Sequence, residues 1–424
     1  MNFYKVPFNP EKKFAQNLDK KDPLRSFQKN FYYPEDKEKK LTYFCGNSLG
    51  LQPVTTNHNL NNELNAWKKK GVEAHFKEPM PWSGFHNSIL PFIAKLTGCY
   101  KEEVVIMNSL TVNLHLLMVS FYNPTHERNR ILMESKAFPS DIFAVRSQIR
   151  LKGYNPEKSL LFVNPEQDFF ISTDSILKIL EEKGNQIALL LFGGVNYYTG
   201  QFFDIEKITK AAHEKGCMVG WDLAHAIGNV PLKLHSWDVD FAVWCSYKYL
   251  NAGPGAVGGA FINQRFLDSP ISQRLEGWWG NNLKSRFNMS EDFEPPQTAE
   301  AWQLSNEPIL SMASLMASLK IFKEAGITNL FRKSRHLTSY LAYLINYHLK
   351  NKVEIITPLN ENEHGAQLSL VIKSKKGKKV HAELRKRGFI TDWREPSVLR
   401  VSPVPLYNGY MDVWNFVEAM VATN

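Results

Sequence analysis

One apolar run constrains the fold of this chain more than any other stretch. Residues Val239 to Cys245 are almost all hydrophobic, and a short apolar run of this length is typical of a buried strand. The run leads directly into Ser246, Tyr247 and Lys248. An amine held at a strand end in apolar surroundings keeps its charge less readily than a surface lysine, so it can attack carbonyl groups. Because most strand-end lysines do no chemistry, this one needs further support.

A second apolar run indicates a partner for this lysine. Residues Gly216 to Trp221 predict a neighbouring strand, and Asp222 follows it directly. Ligands of open α/β sheets bind outside the carboxyl ends of the strands, so Asp222 and Lys248 would face each other across a crevice. Pyridoxal phosphate requires both groups, a lysine at its aldehyde and a carboxylate at its pyridine nitrogen. A capping aspartate and an inert lysine would give the same pattern.

The composition is that of a globular protein with more than one domain. The 424 residues are 43% hydrophobic and 22% charged, and a chain of this length is expected to form one large and one smaller domain. The net charge of +9 is spread along the sequence, which suits an anionic substrate and cofactor better than nucleic acid. A basic RNA-binding protein is the non-enzyme alternative, and a steep salt dependence of RNA affinity would favour it.

The cysteines and the hydropathy pattern indicate where the protein works. The four cysteines show no CxxC spacing, no secretory signal precedes them, and no apolar run approaches the length of a membrane span. We therefore expect a cytoplasmic protein with free thiols, no metal site and no membrane association.

The middle of the chain alternates between strand and helix patterns. Arg130 to Glu134 and Ile187 to Phe192 read as strands, and a helix from Ile205 to Lys215 returns to the Asp222 strand. Repeated βα units predict a parallel sheet. Gly253 to Gly258 formally matches GxGxxG, but the following residues continue as a strand rather than a helix, which excludes a dinucleotide site.

The segments Asp222 to Asn229 and Trp244 to Gly253 resemble those of kynureninases, a family of fold-type-I pyridoxal-phosphate enzymes. Further matching segments extend from Gly46–Gly50 to Arg400–Asn408, so the resemblance covers most of the chain. It implies an α/β fold of the fold-type-I transferase kind and a homodimer with shared active sites. The implied domains are an N-terminal arm of residues 1–40 against the small domain, a large cofactor-binding domain of residues 41–309, and a small α+β domain of residues 310–424.

The implied reaction is hydrolysis of the Cβ–Cγ bond of L-kynurenine or its 3-hydroxy form, in tryptophan catabolism and NAD biosynthesis. The products are alanine and anthranilate or 3-hydroxyanthranilate. Lys248 would bind the cofactor and then move the α-proton, Asp222 would hold the ring nitrogen, and Tyr247 would be a general acid or phosphate ligand. A cysteine desulfurase or an aminotransferase is the alternative, although Cys217 and Cys245 lie within apolar runs, where a mobile catalytic thiol is not expected.

The resemblance also assigns individual cofactor contacts. They are Leu110, Thr111, Phe138, Pro139, Ser140, Asp141, Gly193, Asp222, His225, Tyr247, Lys248, Trp278 and Asn306. The residues Leu110 and Thr111 open a predicted helix, whose N-terminus suits a phosphate, and Phe138 would stack on the pyridine ring. The family pattern has serine where this sequence has Gly193. Trp278 and Asn306 would reach the active site of the neighbouring subunit.

The substrate contacts implied by the resemblance are Ser48, His75, Tyr198, Asn306 and Arg400. Arg400 would clamp the α-carboxylate through two hydrogen bonds, with Ser48 beside it and His75 near the aromatic ring. A structural ion pair would equally explain an arginine between apolar residues.

Two expectations concern the C-terminal region. The alternation from Gln367 to Ile372 predicts a strand with one solvated face. The basic run from Lys373 to Lys379 contains Gly377 and predicts a solvated hairpin tip rather than a nucleic-acid patch.

Overall fold

The computed structural model describes residues 7–77, 79–165, 169–268, 273–374 and 377–423. The helices are α1 (Lys12–Lys21), α2 (Thr56–Lys70), α3 (Leu90–Thr97), α4 (Leu110–Phe121), α5 (Pro139–Leu151), α6 (Pro156–Ser159), α7 (Thr173–Lys183), α8 (Ile205–Glu214), α9 (Ile309–Ala325), α10 (Ile327–Leu349), α11 (Gly377–Lys386) and α12 (Tyr410–Thr423). The strands are β1 (Glu35–Asp36), β2 (Lys39–Lys40), β3 (Thr42–Tyr43), β4 (Val104–Ile106), β5 (Arg130–Glu134), β6 (Leu160–Val163), β7 (Ile187–Gly193), β8 (Met218–Asp222), β9 (Phe241–Cys245), β10 (Gly258–Ile262), β11 (Val353–Ile355), β12 (Leu368–Ile372), β13 (Phe389–Ile390), β14 (Asp392–Arg394) and β15 (Val398–Val401).

Within these residues, a seven-stranded sheet has the strand order β4, β10, β9, β8, β7, β5, β6. The strands from β5 to β9 pair in parallel, whereas β10 is antiparallel to both of its neighbours. Helices separate β5, β6, β7 and β8 along the chain, whereas a segment of turns leads from β8 to β9. The predicted α/β fold with a mostly parallel sheet is therefore confirmed. Every helix in the described ranges is too short or too polar to cross a lipid bilayer.

The central strands are buried on both faces, as their continuous apolar runs predict. In β9, Phe241 and Val243 pack into the core on one face of the sheet, and Ala242 and Trp244 pack into the core on the other. This alternation follows from the two-residue period of a strand. Because apolar layers cover both faces, the free edge for a ligand is the one formed by the strand ends.

The strand ends that carry polar residues lie side by side. Gly193 at the end of β7 pairs with Asp222 at the end of β8, and Asp222 pairs with Val243 of β9. β5 ends at Glu134, and Lys248 follows the end of β9 by three residues. The carboxyl ends of four neighbouring strands therefore open onto one crevice.

A second sheet is antiparallel, with the order β11, β12, β15, β14. Its register places Arg400 of β15 opposite Ser369 of β12 on one side and opposite Asp392 of β14 on the other. This sheet shares an apolar core with α10 and α12. By contrast, Met312 and Phe322 of α9 pack into the core around the large sheet. We therefore propose that the domain boundary lies after α9, rather than at about residue 310.

The N-terminal arm contacts the other end of the chain. Strand β3 pairs with β13, and α1 packs against α12. The Asp19 carboxylate accepts the backbone N–H groups of Tyr410 and Met411 at the start of α12. Lys333 of α10 forms an ion pair with Asp22 at 2.7 Å, and both side chains are fully buried.

The expectation of a solvated face on β12 is wrong. Leu368, Ser369 and Leu370 are buried, and Val371 is half-buried. The strand lies between β11 and β15, and the Ser369 hydroxyl donates to the backbone carbonyl of Tyr198 at 2.6 Å. The face predicted to meet water is therefore covered by the loop after β7.

The expectation of a hairpin tip in the basic run is also wrong. Gly377 begins α11, whose Val380 and Leu384 are buried four residues apart on one face of the helix. Lys375 and Lys376, in the same run, lie outside the described residues. The apolar spacing after the run is the signal that predicts a helix here.

Candidate active site

A cavity of about 180 Å³ lies at the carboxyl ends of β5, β7, β8 and β9. It is lined by Leu110, Thr111, Glu134, Phe138, Ser140, Asp141, Gly193, Val195, Tyr197, Asp222, Ala224, His225, Tyr247 and Lys248. Of the predicted cofactor contacts, only Pro139, Trp278 and Asn306 are not among its lining residues. A larger cavity of about 800 Å³ lies beneath the N-terminal arm and carries none of the predicted residues.

The Lys248 amine is held by a neutral histidine. Its Nζ donates to Nε2 of His225 at 3.0 Å. Burial lowers the pKa of His225 well below its usual value, and the positive charges of Lys248, Arg400 and Arg394 act in the same direction. His225 is therefore uncharged, and because Nε2 accepts, its proton is on Nδ1. This contact fixes the amine at the edge of the cavity.

Carboxyl groups from three strand or helix ends surround the cavity. Asp222 accepts the backbone N–H of Ala224 at 2.7 Å. Asp141 is hydrogen-bonded to Asp222, and burial together with the charge of Asp222 raises the pKa of Asp141 well above its usual value. Burial also raises the pKa of Glu134 to about 8, although this residue accepts the Gly193 N–H at 3.1 Å. The raised pKa values favour the protonated forms of Glu134 and Asp141, and a protonated Asp141 can donate to Asp222.

Two helix N-termini meet at one end of the cavity. The first N–H groups of a helix have no partner within it and lie at the positive end of its dipole. Thr111 is in the first turn of α4 and Ser140 in the first turn of α5, and their hydroxyl groups are hydrogen-bonded at 2.9 Å. Pro139 is the first residue of α5, where its fixed φ favours helix initiation. This end of the cavity is suited to an anion such as a phosphate.

Aromatic side chains flank the lysine. The Lys248 Nζ lies 5.8 Å from the ring centres of both Phe138 and Tyr247. Phe138 is 43% exposed, so its ring can stack on a ligand. Burial raises the pKa of Tyr247, so its hydroxyl stays protonated and can donate.

The turn at Gly46–Gly50 packs directly on the lysine loop. The Gly50 N–H donates to the carbonyl of Tyr247 at 2.8 Å, and a Cβ at Gly50 would lie 2.4 Å from the carbonyl oxygen of Lys248. Only glycine fits this approach. The packing brings Ser48, from the same turn, to the site.

Ser48 and Arg400 form a polar group beside the cavity. The Arg400 side chain is 1% exposed; it donates from Nη2 to Ser48 Oγ at 3.0 Å and from Nη1 to the Tyr197 carbonyl at 2.7 Å. It also pairs with the Asp392 carboxylate, which accepts the Ser48 hydroxyl at 2.6 Å. Arg400 Nε has no hydrogen-bond partner among the described residues. Tyr197 lines the cavity, so this group adjoins it.

The structure separates two predicted substrate contacts from the cavity. Tyr198 does not line it; the preceding residue, Tyr197, does. The Tyr198 ring instead faces Phe169 at 6.5 Å. His75 is half-buried on the turn after α2 and packs edge-on against Trp82 at 5.2 Å.

Trp278 and Asn306 lie on the surface of the chain. Trp278 is 45% exposed, and its indole N–H donates to the carbonyl of Arg286 at 3.0 Å. Asn306 is exposed in the segment before α9. The resemblance assigns both to a neighbouring subunit's site, and an exposed position allows this.

Four further residues line the cavity that were not predicted as site residues: Glu134, Val195, Tyr197 and Ala224. Glu134 carried a usable signal, because it ends a predicted strand in the same way as Asp222. Asp392 also was not identified. It lies on an edge strand with half-buried neighbours, so neither an apolar run nor a turn motif marks it.

The cavity fits pyridoxal phosphate. Glu134 Oε2, Asp141 Oδ1 and His225 Nδ1 are buried at its wall without a hydrogen-bond partner in the described part of the chain. Buried polar atoms of this kind require a polar ligand or water. The Lys248 amine suits the aldehyde of this cofactor, and the carboxyl group of Asp222 suits its ring nitrogen. The anion site at the two helix N-termini suits its phosphate.

Solved structures with a similar fold are known. A cysteine desulfurase from Escherichia coli superposes with a TM-score of 0.75 over 99% of both chains, at 15% sequence identity. An apo cysteine desulfurase from Thermococcus onnurineus superposes with a TM-score of 0.70 over 90% of this chain and 94% of that one, at 16% identity. At such low identity the likeness shows the fold alone.

The fold and the cavity together define a fold-type-I pyridoxal-phosphate enzyme. Kynureninases from Koribacter versatilis and Mus musculus are 48% and 44% identical to this chain, over 98% and 97% of its length and 98% and 93% of theirs. The chain belongs to the kynureninase family. Residues 330–420 match the family model of the kynureninase C-terminal domain.

Proposed function

We propose that this cavity is the active site at which the chain hydrolyses the Cβ–Cγ bond of L-kynurenine or 3-hydroxy-L-kynurenine, in tryptophan catabolism and NAD biosynthesis. The observation that carries the proposal is the placement of Lys248 and Asp222 at neighbouring strand ends, with Arg400 adjoining them behind Tyr197. An α-amino acid presents an amine and a carboxylate at a fixed separation. The cavity with Lys248 would receive the amine end, and Arg400, which adjoins the cavity through Tyr197, would bind the carboxylate.

The residues that would hold the cofactor follow from the cavity. Asp222 would accept the N–H of the pyridine ring, Phe138 would pack on the ring, and the start of α4 with Thr111 and Ser140 would bind the phosphate. When bound, pyridoxal phosphate supplies an electron sink for negative charge at the substrate Cα. A proton on Asp141 would let this residue donate to Asp222 and so support its role at the ring nitrogen.

The chain's own groups would orient the substrate and move protons. Arg400 and Ser48 would fix the α-carboxylate and with it the orientation of the bonds at Cα. The Lys248 amine, held by His225, would transfer the α-proton, and the protonated Tyr247 hydroxyl would serve as a proton donor.

We also propose a homodimer in which each site receives Trp278 and Asn306 from the partner. An exposed aromatic patch supports it. Phe287 packs edge-on against Phe76 at 5.6 Å and against Trp278 at 5.4 Å, and these rings are 47%, 60% and 45% exposed. An exposed group of large apolar side chains is typical of a protein interface.

The thiols argue against a desulfurase and for a reducing compartment. Cys45, Cys217 and Cys245 are buried, Cys99 is half-buried, and all four are free. Burial raises the pKa of each of them, so each is held as the less reactive thiol. We accordingly place the protein in the cytoplasm, where free thiols persist.

The proposed function is tested by incubating purified, cofactor-loaded protein separately with L-kynurenine and 3-hydroxy-L-kynurenine. We expect equimolar alanine and anthranilate, or its 3-hydroxy form, and no products with Lys248→Ala. Cysteine is the comparison substrate, and sulfide release from it without turnover of either kynurenine would refute the proposal.

A further inference from the structure

A group of four charged side chains, three of them buried and one half-buried, lies outside the cavity and next to Trp278 and Asn306. It consists of His86, Arg286, Glu300 and Glu307, and we refer to it as the His86 cluster. His86 is in the turn Phe85–Ser88, with its side chain 5% exposed. Nothing in the proposed chemistry uses these residues.

His86 connects two acidic residues that are distant from it in sequence. Its Nε2–H donates to Glu300 at 2.6 Å, and its Nδ1–H donates to Glu307. Its backbone N–H donates to the second oxygen of Glu307 at 3.1 Å. Because both ring nitrogens donate, the ring is an imidazolium. The two carboxylates are on the turn Ala299–Trp302 and immediately before α9.

Arg286 connects the cluster to the turn that carries Trp278. Its Nη2 donates to the carbonyls of Trp279 at 2.6 Å and Asn281 at 2.9 Å. Its own carbonyl accepts the Trp278 indole N–H, and its charge acts on Glu300. Two positive and two negative groups therefore lie close together, three of them buried, and the cluster joins the turn of Trp278 to the segment of Asn306.

We infer that His86 is a positioning residue that fixes the segment 300–307 and so directs Asn306 into the active site of the partner subunit. The inference rests on the shared dimeric site of the proposed function. Asn306 directly precedes Glu307 in the chain, and the Glu307 side chain is only 1% exposed. Because the Glu307 carboxylate is buried and accepts two hydrogen bonds from His86, the backbone next to Asn306 is held in place, and with it the direction in which the Asn306 side chain leaves the chain.

The charge of His86, and with it the hydrogen bonding of the cluster, depends on pH. Burial alone would lower the pKa of His86, but its hydrogen bonds to Glu300 and Glu307 and their negative charges outweigh this and raise the pKa to about 9. The stabilisation that the charged His86 gives to the cluster is therefore fully present below pH 6.5, its ordinary pKa, and is lost as the pH rises through about 9. The charged groups that face His86 are Glu300, Glu307 and, beyond them, Arg286.

The test compares His86→Gln with His235→Gln as holoenzymes. Glutamine keeps one donor but no charge. His235 also binds a buried carboxylate, that of Glu103 at 2.8 Å, but it is not in the cluster, so it is the matched control. We expect hydrogen exchange in residues 298–308 to rise about ten-fold or more in His86→Gln only. We also expect its KM for kynurenine to rise about ten-fold, with kcat and the visible absorption of the cofactor changed far less.

A mixing experiment separates this role from a local structural one. His86→Gln chains mixed with Lys248→Ala chains should recover about a quarter of wild-type activity at low substrate concentration, because half of the dimers are hybrids with one intact site. Exchange and kinetics equal to wild type in His86→Gln would overturn the inference. So would absence of recovery in a mixture whose subunits are shown to exchange.

If His86→Gln does not fold, Glu300→Gln decides the question. Glu300 is 25% exposed, and its amide can still accept from His86 while one negative charge is removed. We expect the pH at which residues 298–308 loosen to fall below that of wild type, and an unchanged profile would overturn the inference. Wild-type protein without activity on either kynurenine would refute the proposed function instead, and the exchange measurements would still test whether the His86 cluster holds residues 298–308.

Discussion

Arg400 and Asp392 face each other across adjacent strands, and the guanidinium of the first is bound to the carboxylate of the second. Arg394 also contacts Asp392, at 3.0 Å, and Ser48 donates to the same carboxylate. Two arginines and one aspartate leave a single positive charge. This group is therefore matched to a substrate with one free carboxylate.

Replacing Arg400 with lysine should separate charge from geometry. Lysine keeps the charge but cannot make the two parallel hydrogen bonds of a guanidinium. We expect Arg400→Lys to bind the cofactor normally, while kcat/KM for kynurenine falls roughly ten-fold to a thousand-fold. Steady-state kinetics and the visible spectrum measure the two effects. Normal turnover would mean that Arg400 is structural and that the carboxylate is held elsewhere.

Replacing Asp392 with asparagine should destabilise the protein. Arg400 would lose its carboxylate in a buried position, which costs about 3 kcal/mol of unfolding free energy. Because an added carboxylate can take the place of Asp392, an unreactive carboxylate analogue of the substrate should raise the Tm of Asp392→Asn more than that of wild type. Thermal unfolding with and without the analogue measures this.

The pH dependence provides a control for the Asp392 prediction. The charge of Arg400 and hydrogen bonds from Ser48 and Arg400 outweigh burial and lower the pKa of Asp392 below 3.8. A lowered pKa adds stability above the unfolded value that is lost as the pH falls through the folded value. The difference between wild type and variant should thus persist at neutral pH and shrink only below 3.8. If the stability difference between wild type and Asp392→Asn did not change at low pH, the loss of stability would be due to packing rather than to the charge of Asp392.

Glu134→Gln should stabilise the protein at alkaline pH. Between the ordinary value of 4.5 and the raised value of about 8, only the folded state holds this proton, so stability falls by about 1.4 kcal/mol per pH unit. Glutamine removes this loss and still accepts the Gly193 N–H. We expect the Tm of Glu134→Gln to fall less than that of wild type from about pH 5 to pH 8. Glu157→Gln, an exposed control, should follow wild type.

Mixing two inactive variants should test the shared site directly. Lys248→Ala lacks the amine, and Asn306→Asp places a negative charge where the partner's site expects an amide. Hybrids of the two would have one site with both native groups, so the mixture should regain about a quarter of wild-type activity. Failure to regain activity, with subunit exchange demonstrated by mass, would show that each site is built from one chain.

The cavity could be predicted from the sequence where local patterns determine it. The runs that end at Asp222 and Lys248 are apolar because β8 and β9 are covered on both faces, and parallel strands bring their carboxyl ends to one edge. The anion site at α4 follows in the same way from a helix that begins beside that edge.

The rest depends on contacts between distant segments, which leave no local pattern. Asp392 acquires its role only when β14 pairs with β15. Tyr197 rather than Tyr198 lines the cavity because the loop after β7 turns the Tyr198 ring toward Phe169 and its carbonyl toward Ser369. The face of β12 that carries Ser369 is buried for the same reason, because the distant loop after β7 covers it.

The capping of α12 by Asp19 has a consequence for the order of events during translation. Asp19 is synthesised long before α12, so the helix and its capping carboxylate can meet only after Tyr410 and Met411 have left the ribosome. The large sheet, whose last strand ends at Ile262, can form well before that. Nascent chains arrested before Tyr410 should therefore be cut by protease in the arm and in α10, while the segment from β4 to β10 resists.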